Sequence, residues 1–151
     1  MILIPVCSFL IGAIAFVLNV RQTTLNNKIC KAKIVSESLH IFMDDNTMCQ
    51  AFYKIEYGNF SYGSNFHGSK EEKEIDKLLR HFSNIALMWQ EGLLSLSDIR
   101  PIQYFILRVV NDPEIIKYLL FINQWSNNTN TGSHPYLALN KMSKELNEKI
   151  T

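Results

Sequence analysis

The chain has 151 residues, with 15 Lys and Arg against 14 Asp and Glu, for a formal net charge of +1. So even a balance gives no global field that would draw the molecule onto nucleic acid, and a partner must be recognised locally. The three cysteines, Cys7, Cys30 and Cys49, are odd in number and one of them sits in an apolar run, which excludes a disulfide framework and suits a reducing compartment.

The first segment, Met1 to Val20, reads MILIPVCSFLIGAIAFVLNV and carries no charged side chain. A helix of this length spans ~30 Å, the thickness of a bilayer's hydrocarbon core. Twelve of its residues are strongly apolar. Their summed insertion free energy, on the order of −5 kcal/mol, outweighs Asn19 and Pro5 near the two ends. Residues 1–20 are therefore expected to form a transmembrane helix that engages the lipid bilayer. A cleaved signal peptide fits less well, because no basic region precedes the run and the apolar stretch continues past Ala13-Ile14-Ala15. A lipoprotein at Cys7 fits less well still, since Pro5-Val6 precedes it. Arg21, Lys28, Lys31 and Lys33 follow the run while only the terminal amine precedes it. The positive-inside rule then places the N-terminus outside and the C-terminal part in the cytoplasm.

Residues 21–43 read as a juxtamembrane extension of that helix, with Leu25, Ile29, Ala32 and Val35 or Ser36 on one stripe. Asp44, Asp45 and Asn46 form a stop and restart, because short acceptor side chains cap the free amides of a new helix. That helix is expected over Thr47–Tyr57, burying Met48, Ala51, Phe52 and Ile55 and ending at Gly58. The stretch GNFSYGSNFHGS, Gly58 to Ser69, is irregular for its turn formers, yet Phe60, Tyr62 and Phe66 are more apolar than a solvated loop needs. Its rings either tuck against the helices or offer a contact surface. It lacks the Gly-Lys-Ser/Thr ending of a phosphate cradle.

Ser69 and Glu72 make a capping box, and Glu71, Glu72, Glu74 and Asp76 crowd the positive end of the helix that follows. Ile75, Leu78, Leu79, Phe82, Ile85, Ala86 and Trp89 then form one apolar stripe that ends at Gly92. A further helix is expected from near Leu96, with Ser95 and Asp98 as a second capping pair and Pro101 in its first turn. Asp112-Pro113-Glu114 starts another, which buries Ile115, Ile116, Leu119, Leu120, Ile122 and Trp125. A second span over 102–122 is excluded by Arg108, Asp112, Glu114 and Lys117 at its centre. SNNTNTGSH, Ser126 to His134, reads as a polar linker. From Pro135 a last helix docks Tyr136, Leu137, Leu139, Met142 and Leu146 and leaves Lys141, Lys144, Glu145, Glu148 and Lys149 in water. No run has strand periodicity, so the class is all-α: a transmembrane helix followed by a small cytoplasmic helical bundle over residues 44–151.

The run LLRHFSNIALMWQEGLLSLSDI, followed by PIQYFILRVV, YLLFINQW and HPYLALNKMSKEL, resembles the bacterial family catalogued as domain of unknown function 4760. The resemblance implies the same layout, an N-terminal span and a cytoplasmic helical domain, and brings no catalytic residue. It covers the pattern from about Glu74 onward, and the aromatic loop has no counterpart in it.

No chemical motif emerges. His40, His67, His81 and His134 have no i, i+4 partner for a metal, no serine occupies a nucleophile elbow, and no cofactor signature is present. His67, between Phe66 and Gly68, has no acid or thiol beside it in sequence. The expectation is a non-catalytic protein-interaction module that binds a cytoplasmic protein or itself and not nucleic acid, with Tyr57, Phe60, Tyr62, Phe66 and His67 as the partner-binding residues. The competing reading is a membrane effector of the conflict or defence type, acting through oligomerisation of its span, where Gly12, Ala13 and Ala15 permit close helix approach.

Overall fold

The computed structural model describes residues 3–129 and 134–149, with side chains from position 12 onward. These residues form six helices and no strand: α1 Leu3–Asp44, α2 Asn46–Glu56, α3 Lys70–Gln90, α4 Arg100–Val110, α5 Pro113–Thr129 and α6 Leu137–Glu148. The side chains of positions 1–11, half of the apolar run, and residues 130–133 of the expected linker lie outside the described set. Among the described residues no helix is long and apolar enough to cross a membrane.

Two compact units divide the chain, Met1–Ile34 and Val35–Thr151. The first is the helical segment of α1 alone. Its described apolar side chains have no cover: Ile14 is 60% exposed, Phe16 70%, Val17 61% and Leu18 58%.

The second unit begins at Val35, not at Asp44. The reason is packing, since Val35 and Phe42 on the last turns of α1 are both buried. The Phe42 ring lies 5.8 Å from Phe52 of α2, 5.5 Å from Phe82 of α3 and 5.1 Å from Phe105 of α4, a plug that joins three helices. Asp45 then caps α2, its Oδ1 accepting from the Met48 amide at 3.0 Å. Burial of Met48, Ala51, Phe52 and Ile55 follows the expected stripe.

Four helices close a ring of neighbours: α2 packs on α3, α3 on α6, α6 on α4 and α4 on α2, with α5 attached beside α4. The core of the ring is the α3 stripe of Ile75, Leu78, Leu79, Phe82, Ile85 and Ala86, with Ile102, Ile106 and Val109 of α4 and Leu139, Met142 and Leu146 of α6. Trp89 sits only partly covered at the stripe's end. Gly92, at φ +72°, ends α3 in the left-handed conformation that glycine adopts without strain, and the Leu93 amide reaches back to the Met88 carbonyl at 2.9 Å.

Helix α4 starts later than the sequence suggests. Pro101 has no amide to give to a carbonyl one turn back, so a helix from Leu96 cannot run through it unbroken. Ser95 and Asp98 still pair, but they close an isolated turn: the Ser95 amide donates to Asp98 Oδ2 at 2.8 Å and the Asp98 amide to the Ser95 carbonyl at 3.0 Å. Helix α5, in contrast, begins as expected on Asp112, whose Oδ1 accepts from the Glu114 and Ile115 amides at 3.0 and 3.3 Å. It runs on to Thr129, so the first part of the expected linker is helical. Ser126 is buried there, and the Thr129 hydroxyl donates to the Trp125 carbonyl at 2.8 Å.

Candidate functional site

The glycine-rich loop between α2 and α3 folds onto α5. Phe60 and Phe66 are each only 4% exposed and meet edge to face at 5.6 Å, and the Phe66 ring lies 5.0 Å from Tyr118 of α5. These two rings are core, which removes them from the expected contact surface. The physical reason is that a loop with so many turn formers has no backbone ladder to hold it, so its rings must supply the adhesion. Tyr62 is half-buried, its amide donating to Glu114 Oε2 at 3.0 Å. Tyr57, at 71% exposure, stacks on Tyr53 with centroids 5.9 Å apart and stays in solvent.

His67 acquires an acid in the fold. Its Nδ1 lies 3.0 Å from Glu72 Oε1, and Glu72 Oε2 accepts from the Gly68 amide at 2.6 Å. With Nδ1 donating to that carboxylate, Nε2 accepts from the Tyr62 hydroxyl at 2.9 Å. Glu72 thus closes only half of the expected capping box. Ser69 Oγ accepts from the Glu72 amide at 3.0 Å, while the Glu72 carboxylate turns outward to the loop. Burial works to raise the Glu72 carboxyl, but the hydrogen bonds from His67 and Gly68 outweigh it and hold the group below its ordinary value.

Hydroxyl, imidazole and carboxylate in this order match the spacing of an activated nucleophile. Here the electrostatics run the other way. Burial, aided by the negative Glu72 nearby, pushes the Tyr62 phenol above its ordinary value, so the phenolate is disfavoured. The chain of hydrogen bonds acts as a latch that pins Tyr62 to the start of α3.

On the outer side of this latch a row of rings continues along α5. His67 lies 4.3 Å from Phe121, and Phe121 stacks on Trp125 at 5.9 Å. Trp125 is 60% exposed. The sequence stripe for α5 placed Ile116, Leu120 and Trp125 in the core, yet they are 43%, 56% and 60% exposed, and Ile122 is only partly covered, while Tyr118 is buried in their place. Only Ile115 and Leu119 of that set are buried as expected. Helix α5 is apolar on more than one face, and periodicity does not say which face meets the core. Phe121, a member of the ring row, gave no separate signal in the sequence.

Away from the loop, Arg108 ties α4 to the end of α2. Its Nη2 donates to the Ile55 and Glu56 carbonyls at 2.7 and 3.0 Å, and its Nε lies 2.9 Å from Glu56 Oε2. Among the described residues no group of three or more His, Cys, Asp or Glu side chains is placed to hold a metal ion. Comparison with family models, curated proteins and solved structures finds no match to this chain.

Proposed function

We propose that the chain is a single-pass membrane-anchored protein whose helical unit serves as a non-catalytic interaction module at the cytoplasmic face. The observation that carries the anchor is the uncovered apolar side of α1 from Ile14 to Leu18, which continues the charge-free sequence from Met1. Exposed apolar side chains at this density need lipid or protein against them. The resemblance to domain of unknown function 4760 implies the same layout. Lys28, Lys31 and Lys33 on the following turns suit the anionic cytoplasmic leaflet, where each basic residue adds about 1 kcal/mol of attraction.

The interaction surface is the outer side of the latch. Tyr62, His67 and Trp125 remain available to a partner there, Tyr57 stands in solvent separately beside Tyr53 at the end of α2, and Phe60 and Phe66 are buried. Rings held by packing and hydrogen bonds give contact area with little entropy left to lose, and such anchors dominate binding energies.

The test is fractionation of the full chain with a reporter fused after Thr151. The expected result is carbonate-resistant membrane association with a reporter active only in the cytoplasm. Release by carbonate removes the anchor, and a reporter active only outside reverses the topology. Growth arrest that needs residues 1–20 but not Trp125 would shift the reading to an effector acting through its span.

A further inference from the structure

No further inference is drawn: the strongest candidate, the surface groove along the outer face of α4 lined by Tyr104, Leu107 and Arg108, carries nothing, because Arg108 is already engaged by the end of α2 and nothing in the structure shows what covers the rest of that face.

Discussion

The Tyr118 hydroxyl lies 2.7 Å from Asp76 Oδ1. The same oxygen accepts from Tyr136 at 2.9 Å, so one carboxylate on α3 gathers α5 and the approach to α6. Burial, with the negative Asp76 alongside, pushes both phenols well above their ordinary values and keeps them as donors at any working pH. Tyr118→Phe removes one charge-assisted hydrogen bond while keeping the ring, and should cost about 1.5 kcal/mol. Urea unfolding of Tyr118→Phe, Tyr136→Phe and the pair checks this. The double loss should exceed the sum of the single ones, because only then does Asp76 lose both hydroxyl donors.

Arg108 spans α2 and α4 with a geometry that an ammonium cannot copy, since three of its nitrogens reach different acceptors, the third being Nη1 at 3.5 Å from Asp112 Oδ2. Arg108→Lys should therefore destabilise by about 1 kcal/mol and Arg108→Ala by about 2 kcal/mol, the side chain's partial exposure limiting both. Thermal melts by circular dichroism would show the order. If lysine matches arginine, the carbonyl contacts at the end of α2 contribute nothing.

Acid should act in two stages. Burial holds the His81 imidazole below its ordinary value, against a smaller opposing effect of its hydrogen bond to the Ser38 carbonyl at 3.0 Å, and burial likewise depresses His134. The folded state then refuses protons that the unfolded chain accepts. Stability should be level above about pH 7 and fall as the pH drops below the free-histidine value of about 6.5. Glu72, Glu114 and Asp45 are held low in the folded state, so their contribution persists through this window and is lost only as the pH falls below about 4.5. Unfolding at pH 7.5 and 5.5 measures the first stage. His81→Gln, which keeps a donor for Ser38 and cannot titrate, should reduce the fall to the part that His134 contributes.

The loop divides into core and surface, and two substitutions separate them. Phe66→Ala should cost about 3 kcal/mol, as for other buried phenylalanines, whereas Tyr57→Ala should change the melt by less than about 0.5 kcal/mol. Capture of a partner from detergent-solubilised membranes should fail for Trp125→Ala with unchanged melting. Full capture by that variant would move the interaction surface elsewhere.

Helix existence and the α3 stripe were legible because one apolar face, one capping serine and one terminal glycine all agreed on the same 21 residues. The stripe of α5 was not, since Ile116 and Tyr118 are both apolar enough to be inside and only the docked loop decides between them. His67 seemed partnerless because Glu72 is five positions away, a spacing with no helical meaning until the turn at Gly68 folds the chain back. Arg108 and Ile55 are 53 positions apart, and no local pattern could link them. The split role of the loop was open in the sequence, where turn formers and large rings stood side by side, and packing on Tyr118 resolved it.

Because α3 is walled by α6, its stripe has no full cover until α6 has been made. A nascent chain that has reached Thr129 still lacks the α6 wall of α3, and Asp76 has only one of its two tyrosines. The ring of helices therefore closes only once α6 has been made, and until then the exposed stripe is a surface for chaperones or aggregation. A premature stop before α6 leaves the α3 stripe without that cover, so the codons of α6 decide whether those of α2 to α4 yield a folded unit.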